Sequence, residues 1–492
     1  MPESLRKPYR INAKSIKLGT RCPKAFWYQV NSKRGETDRL HQYFRLAQLQ
    51  IKKGAMDNFD EGIDLDYNLE ATLNALRNTL EPSTFKNCYL EYEGLCIKVE
   101  AIVFDGTEWF AYQVKRSLNV KQKHKLEANI LTNITQHLLL PDLIFNALYL
   151  NKGHSISNNL PLFKSKHITP SQDGINLISL IHPELNKISA SPDMPEVAIG
   201  QHCGEQGLCP FYKKCFNIDD PSIFTLRQQS SELAIENYQK GITKITDIIT
   251  EGGLSSFQKI QKASLQNQEV YLAKGALSSF LSKATFPIAF MDFEGYQATI
   301  PELEHHHPMS TVPFLFSMHL WKDPESTIKQ VVHINHRESK NPEKDFCEAL
   351  IKACSTANSF VVFNKLFEKD IINRLIQLEP VYADQLNRIK SKLLDFQEVF
   401  EKPLIYHPAQ NGSMSLKAVS NALLEEKVFD NSWIKNGLQA CKGYEYLSFE
   451  DDIEIKNEII QALTTYCSAD TYSMYLLWLE LTKRLKNNDS SL

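Results

Sequence analysis

The chain lacks the features that mark a membrane or secreted protein. None of its 492 residues belongs to an apolar run long enough to cross a bilayer. The opening stretch, MPESLRKPYRINAKS, lacks the apolar core of a signal peptide. The sequence contains no internal repeat and no low-complexity tract. We therefore expect a cytoplasmic protein without a membrane partner.

The chain also lacks an excess of charge of one sign. Its net charge of −3 gives no global signal for nucleic acid, although a local patch can still bind it. The run VKRSLNVKQKHKLE, residues 114–127, concentrates positive charge. If the basic side chains shared one face they would reach phosphates, and the alternative is an ordinary solvated surface. These side chains are Lys115, Arg116, Lys121, Lys123 and Lys125.

Length and composition predict a globular protein of several domains, and its strand and helix patterns, together with the resemblances given below, imply the α/β class. With 42% hydrophobic and 23% charged residues the composition is ordinary, and the length predicts about two to four domains. We expect a first domain over residues 1–220, a helical connector of short helices over 221–284, a third segment over 285–485 and a disordered tail over 486–492. In the connector, isoleucines recur at helical spacing until Gly252 and Gly253.

The ten cysteines do not predict a disulfide framework, because disulfides are rare in a cytoplasmic protein. Six are scattered among apolar neighbours and are predicted to be core thiols: Cys88, Cys96, Cys347, Cys354, Cys441 and Cys467. The segment HCGEQGLCPFYKKCF instead holds three at C-x5-C-x5-C spacing, and GTRCPKAFWYQ holds one more far upstream. These four are Cys22, Cys203, Cys209 and Cys215.

Four thiolates can ligate a [4Fe–4S] cluster or a tetrahedral zinc ion. Zinc ribbons favour C-x2-C pairs, so the wider gaps here favour iron–sulfur. Unrelated loop cysteines are the remaining alternative. The pattern of one distant cysteine and a later trio resembles RecB-family nucleases with an iron–sulfur staple, which include the Cas-four-like and AddB-like nucleases. That resemblance implies a structural [4Fe–4S] cluster on Cys22, Cys203, Cys209 and Cys215.

The segment between these cysteines predicts a β-hairpin. LCIKVEAIVFDGTEWFAYQVKRS contains two strand patterns that meet at Asp105-Gly106, a strong turn signal. PD-(D/E)XK nucleases carry one acid on the first such strand and acid-x-Lys on the second. The matching positions here are Glu100, Gln113 and Lys115. A neutral amide holds Mg²⁺ poorly, so we predict a degraded nuclease site that still holds nucleic acid. The alternative is an endonuclease acting through Glu100 and Lys115.

Two acids interrupt an apolar strand pattern in FPIAFMDFEGYQATIP. Asp292 and Glu294 are two residues apart, so they lie on one face of the strand. Two buried carboxylates repel each other unless a cation lies between them. A divalent metal meets that requirement, and an edge strand with solvated acids is the alternative.

Further acids follow in an order with a known parallel. Three strand patterns, FPIAFMDFEG, PFLFSMHLW and IKQVVHINH, predict an antiparallel meander. After them come Glu368 at a strand-to-helix junction, Asp395 after a short strand, and Tyr466 and Asp470 four apart on a long amphipathic helix. This order resembles the DEDD exonucleases of the ribonuclease H-like fold over residues 286–483.

The resemblance implies roles for these residues. Asp292, Glu294, Glu368 and Asp470 would hold two Mg²⁺ or Mn²⁺ ions, and Tyr466 would orient or help deprotonate the attacking water. Asp395 is a helper outside the quartet. Most such exonucleases carry aspartate where this chain has Glu368, which puts the reach of that ligand in question.

Several separate motifs also resemble the bacterial domain-of-unknown-function family 2779. They are DFEG, PFLFSMH, FNKLFE, YHPAQNGSMSLK, YCSADT and CGEQGLCPFYKKC. Taken together, the resemblances imply a 3′→5′ exonuclease on single-stranded nucleic acid, fused to a degraded iron–sulfur nuclease domain. The other hypothesis is a non-catalytic protein that binds nucleic acid or acts as a scaffold.

Overall fold

The computed structural model describes residues 9–32, 51–59 and 61–489. The chain forms two compact units. The first comprises residues 1–217 and 299–310, and the second comprises 218–298 and 311–492. Both units mix helices with strands, as expected for the α/β class. No helix within the described ranges combines the length and the apolar character needed to cross a membrane.

The first unit is built on one six-stranded sheet, in the order β1-β2-β3-β4-β5-β6. The strands are β1 Ile63–Asp64, β2 Ser83–Tyr92, β3 Leu95–Phe104, β4 Trp109–Lys115, β5 Leu143–Leu150 and β6 Phe163–His167. The pairs β1–β2 and β4–β5 are parallel, and the other neighbours are antiparallel. The predicted hairpin at Asp105-Gly106 is confirmed as β3–β4, and Gly106 there adopts a positive φ of 102° that suits glycine.

Helices cover this sheet. They are α1 Ala13–Arg21, α2 Pro23–Asn31, α3 Leu69–Asn78, α4 Gln122–His137, α5 Gln172–Ala190 and α6 Tyr212–Phe216. Residues 51–56 are also helical. Apolar side chains from α4 and from β2–β5 form the main core, in which Val99, Ala111 and Leu131 are fully buried.

The second unit is built on a five-stranded sheet in the order β10-β9-β8-β11-β12. The strands are β8 Ile288–Gln297, β9 Thr311–Trp321, β10 Lys329–Ile334, β11 Ser359–Val362 and β12 Leu393–Asp395. The predicted meander is confirmed, since β8–β9 and β9–β10 are antiparallel. The pairs β8–β11 and β11–β12 are parallel. A separate two-stranded sheet pairs β7 Tyr271–Leu272 with β13 Ile405–Tyr406.

The helices of this unit are α7 Ser231–Gln239, α8 Ser256–Asn267, α9 Lys274–Leu281, α10 Pro342–Ala353, α11 Lys365–Leu378, α12 Ala383–Ser391, α13 Glu398–Glu401, α14 Leu416–Leu423, α15 Gly437–Tyr446 and α16 Ile453–Asp489. Glu368 was predicted at a strand-to-helix junction, and it lies in the first turn of α11, which begins at Lys365 just after β11. Residues 486–489 of the predicted disordered tail are helical, because α16 runs to Asp489, and residues 490–492 lie outside the described part of the chain.

The stretch predicted as a connector lies inside the second unit. Its three α-helices are α7, α8 and α9, and Phe257, Leu277 and Phe280 pack into the core beneath the five-stranded sheet. The isoleucine run forms no α-helix, because only Ile245–Asp247 makes a single 3-10 turn there. Ile245 is buried in a small cluster with Leu265, so these isoleucines serve tertiary packing rather than a helix face.

Alternate side chains of strand β8 point to opposite faces of the sheet and pack into two separate cores. Ile288 and Phe290 pack on the face covered by α16, whereas Ala289 and Met291 pack on the face covered by α10 and α11. Asp292 continues the alternation of Ile288 and Phe290, so the sequence directs its carboxylate to the side where α16 lies.

Candidate functional site

The four predicted acids of the second unit come together. Asp292 and Glu294 lie on β8, Glu368 lies in the first turn of α11, and Asp470 lies on α16. Each of the four has its pKa raised by another: Glu294 acts on Asp292, Asp470 on Glu294, and Asp292 on both Glu368 and Asp470. We call these four residues the carboxylate cluster.

The sheet topology explains why Glu368 meets the β8 acids. Strands β8 and β11 are parallel, so their carboxyl ends lie at the same edge of the sheet. Helix α11 begins just after β11 and carries Glu368 back over that edge. Its first turn is held by Asp395, whose carboxylate accepts hydrogen bonds from the backbone amides of Asn364 at 3.2 Å and Lys365 at 3.1 Å. Asp395 thus anchors the helix that presents Glu368.

Helix α16 is fixed against β9 by a buried polar contact. The Thr471 hydroxyl lies 2.9 Å from the Ser317 hydroxyl and 2.8 Å from His319 Nδ1. Because Thr471 follows Asp470 directly, this contact also fixes the position of Asp470 relative to the sheet. Cys467, one turn earlier, is fully buried and donates its thiol to Asp292 Oδ2 over 3.3 Å.

Burial and mutual repulsion together raise the pKa values of the cluster. Burial is the larger cause for all four residues, and it raises the pKa of Glu294 to about 8. The pKa values of Asp292, Glu368 and Asp470 are raised well above their usual range. Charged neighbours offset little of this, although Lys417 on α14 lowers the pKa of Asp470. The protein therefore holds these carboxylates close together without balancing their charge.

A buried oxygen of the cluster lacks a hydrogen-bond partner within the described part of the chain. Glu368 is 1% exposed, and its Oε2 atom accepts no hydrogen bond from any residue in that part. Leaving a buried carboxylate oxygen unsatisfied is costly, and each such atom needs an explanation. Asp292 and Asp470 keep part of their surface exposed, so the cluster is reachable from solvent. Hard carboxylate oxygens are the donors that Mg²⁺ and Mn²⁺ prefer, so this donor set fits such ions.

Tyr466 lies beside the cluster, one turn before Asp470. Its hydroxyl bonds to Asp470, and burial followed by the nearby carboxylates raises its pKa. The phenol therefore stays protonated at neutral pH. Of the two roles that the sequence resemblance implied, the geometry favours orientation through a donated hydrogen bond over removal of a proton.

The four cysteines predicted to bind a cluster also lie together, in the first unit. Cys22 and Cys209 are buried and pack in one small apolar cluster. Cys22, Cys209 and Cys203 each raise the pKa of Cys215 after the larger effect of burial, and Cys22 and Cys209 do the same to Cys203. All four are free thiols.

The local fold holds the distant Cys22 against the later trio. Arg21 donates hydrogen bonds to the carbonyl oxygens of His202 at 2.8 Å, and of Cys203 and Gly207 at 2.7 Å each. The ring of Tyr28 stacks on Phe211 with centroids 5.4 Å apart. Four converging free thiols are a donor set that fits a thiolate-bound metal or cluster.

The residues at the predicted degraded nuclease site are neighbours on β3 and β4, and lysines neutralise their acids. Glu100 accepts from Val114 N at 2.8 Å and pairs with Lys52 at 2.7 Å. Lys115 is buried, donates to the Gln113 amide oxygen, and pairs with Glu127 at 2.5 Å.

Glu127 and Lys52 were missed by the sequence reasoning. A signal for Glu127 exists, because it shares a helical stripe of α4 with the buried Leu131 and Ile134. An acid on a core-facing stripe is worth noting. Lys52 carries no such signal, since its pairing with Glu100 joins distant parts of the chain. The basic run also does not form one face, because Lys115 is buried whereas Lys121, Lys123 and Lys125 are exposed.

Comparison with known proteins adds a family match without an activity. A family model described as Domain of unknown function (DUF2779) matches residues 289–415, a range that holds Asp292, Glu294, Glu368 and Asp395. A protein of Mycoplasma genitalium named "Uncharacterized protein MG366" is 26% identical over 174 residues, which cover 31% of this chain and 24% of that protein. The chain thus spans about a quarter of the length of this curated relative.

Proposed function

We propose that the second unit is a metal-dependent nuclease that removes nucleotides from the 3′ end of single-stranded nucleic acid. The observation that carries this proposal is the carboxylate cluster, with four mutually repelling acids and an unpartnered Glu368 oxygen. Only positive charge supplied from outside the protein would make so many buried carboxylates stable as anions.

The strand order supports the ribonuclease H-like and DEDD resemblance. An antiparallel meander continues into parallel strands, and acids arise from the first strand, from the helix after the fourth strand and from the last long helix. In such a site a pair of Mg²⁺ or Mn²⁺ ions supplies an activated water and stabilises the leaving oxygen.

The chain's own residues would prepare that chemistry. Asp292, Glu294, Glu368 and Asp470 would hold the ions, with Asp395 and Thr471 fixing the helices that carry two of these ligands. The protonated Tyr466 would donate its one hydroxyl proton to Asp470, which fixes that ligand and so orients the water beside it. Lys417, which already acts on Asp470, would help to draw the polyanionic substrate towards the cluster.

We assign the first unit a non-catalytic role. Its cysteine set would carry a structural [4Fe–4S] cluster, with zinc as the alternative. Its Glu100–Gln113–Lys115 site lacks the second strand acid, and its acids already have lysine partners. It would therefore hold nucleic acid rather than cut it.

The test is a nuclease assay on the full chain with 5′-labelled and 3′-labelled DNA and RNA strands, with and without Mn²⁺. We expect Mn²⁺-dependent shortening from the 3′ end that Asp292→Asn abolishes. The matched control is Asp370→Asn, an exposed acid on the helix that carries Glu368. Equal activity of Asp292→Asn and the control would reject the assignment, and the absence of any cutting would favour the non-catalytic binding hypothesis.

A further inference from the structure

A cavity of about 430 Å³ lies in the first unit, beside β3 and β4. Its volume falls within the range of about 300–1,000 Å³ typical of small-ligand sites. Its lining divides into a cationic part and an apolar part. The residues that matter here are Arg10, Lys14 and Lys98 on the cationic side, and Tyr89, Ile97 and Ile130 on the apolar side.

The cations of the cavity are incompletely compensated. Arg10 pairs with Glu91 at 3.6 Å, but neither Lys14 nor Lys98 makes an ion pair with another residue that the structure describes. The Lys98 ammonium lies 4.3 Å from the centroid of the Tyr67 ring. Partial burial, followed by repulsion from Lys52 and Arg10, lowers its pKa. A bound anion would relieve this crowding of like charges.

The one acid that lines the cavity does not cancel these cations. Glu127 pairs with the buried Lys115 at 2.5 Å, so its charge is already neutralised. The backbone amides at the start of α1 are also not available to bind an anion in this cavity. Asn12 Oδ1 accepts from the amides of Lys14 at 3.0 Å and Ser15 at 3.2 Å, so those donors are occupied. The side-chain cations therefore dominate.

The apolar side gives the cavity a second chemical requirement. Tyr89, Ile97 and Ile130 are buried and offer no charge to a ligand. The Arg10 guanidinium lies 5.2 Å from the Tyr89 ring centroid, which holds it at the boundary between the two parts. A ligand that satisfies both parts carries an anionic group next to a flat apolar group.

We propose that this cavity binds one nucleoside phosphate, with the phosphate against Arg10, Lys14 and Lys98 and the base against the apolar side. The unit is either a free nucleotide or one nucleotide of a single strand, since the recognised chemistry is the same. The proposal rests on the nucleic-acid-holding role proposed for the first unit, since Gln113 of the degraded site also lines this cavity. It makes no use of catalysis by the second unit, so a failed nuclease assay would leave it standing.

The experiment is calorimetric titration of the metal-free, full-length protein with adenosine monophosphate, adenosine and a short oligothymidylate. We expect the monophosphate, the oligonucleotide or both to bind, and adenosine to bind at least about tenfold more weakly because it lacks the anion. Binding of the monophosphate alone identifies a nucleotide site, and binding of the strand alone identifies a strand site. Equal binding of adenosine and the monophosphate, with no binding of the strand, would overturn the proposal without any variant.

Variants locate the site. Lys98→Glu and Lys14→Glu should each weaken the phosphate-dependent binding about tenfold or more, because each replaces an attraction by a repulsion. The matched control Lys166→Glu makes the same charge change on an exposed strand position of the same unit and should alter binding less than about twofold. If the two cavity variants bind as the control does, the ligand lies elsewhere and the proposal fails. Melting curves establish that each variant is folded.

Discussion

The two units treat buried acids in opposite ways. In the first unit Glu100 and Glu127 are each matched by a lysine, at 2.7 Å and 2.5 Å respectively. In the second unit four carboxylates lie near one another, and Glu368 Oε2 has no hydrogen-bond partner among the residues that the structure describes. A site whose charge is balanced by the chain is complete without a metal, whereas the carboxylate cluster is stable as anions only with added cations. This difference, more than the residue types, leads us to place catalysis in the second unit.

The largest expected effect is on cutting. Asp292→Asn keeps the shape of the side chain but removes a charge at the centre of the cluster, since Asp292 acts on both Glu368 and Asp470. We expect nuclease activity to fall about a thousandfold, because several kcal/mol of metal-based stabilisation are lost and about 1.4 kcal/mol corresponds to tenfold. Rates of shortening of an end-labelled strand measure this. Activity within about tenfold of the native protein would contradict it.

The mirror experiment addresses the first unit. Lys115→Met should leave the rate of 3′-end shortening unchanged, because the first unit is expected to hold nucleic acid rather than cut it. Loss of all cutting in Lys115→Met, with retention in Asp292→Asn, would reverse the comparison and favour an endonuclease acting through Glu100 and Lys115.

The next largest effect is expected from replacing one of the four cysteines predicted to bind the iron–sulfur cluster. Cys209→Ser removes one of the four converging thiols, and we expect loss of the visible iron–sulfur absorbance together with a lower melting temperature of the first unit. Cys347→Ser, a buried thiol of the second unit, is the control and should keep the absorbance. If the native protein is colourless and contains one equivalent of zinc, the four cysteines bind zinc instead of an iron–sulfur cluster.

The same Lys115→Met variant should also lower stability. It leaves Glu127 without its partner in a mostly buried position, so the free energy of unfolding should fall by roughly 3 kcal/mol. A double variant that also carries Glu127→Leu should recover most of this loss, because a buried ion pair is often replaceable by apolar groups. Urea denaturation measures both. No loss in the single variant would mean that the pair is solvated and the charge-balance contrast is weaker than stated.

The pH dependence of stability gives a further test of the contrast in charge balance between the two units. The folded pKa of Glu294 is raised to about 8, above its unfolded value. The folded, metal-free protein therefore holds an extra proton between the two values, and its stability should fall as the pH rises from about 4.5 to about 8. Added Mn²⁺ should remove this loss at high pH by taking the place of protons. Melting temperatures with chelator or Mn²⁺ across this range measure the effect, and curves that do not diverge at high pH would count against a cation site.

Some of this arrangement was predictable from local patterns. The alternation in IAFMDFE placed Asp292 and Glu294 on one strand face, and the four-residue spacing of Tyr466 and Asp470 placed both on one helix face. Ser415 caps α14 by accepting a hydrogen bond from the backbone amide of Ala418, which is the role that serine commonly plays at the start of a helix. These features follow from periodicity and cap chemistry, which are properties of short segments.

Other features depend on packing between distant segments and were not predictable. The ion pair between Lys52 and Glu100 joins elements that are far apart in the sequence. In the expected connector, Ile245 packs with Leu265 in a small core, and the isoleucine run does not form an α-helix. The start of α11 depends on Asp395, a residue of another strand whose carboxylate accepts hydrogen bonds from the backbone amides of Asn364 and Lys365. A long-range hydrogen bond of this kind leaves no local signal.

The most direct test of the central claim is Mn²⁺ binding to the purified, metal-free chain, followed by electron paramagnetic resonance or calorimetry. The account predicts that Mn²⁺ binds to the native protein and to Glu100→Gln, and that binding is lost in Glu368→Gln. Unchanged Mn²⁺ binding in Glu368→Gln, or its loss in Glu100→Gln, would contradict the assignment of the ions to the carboxylate cluster.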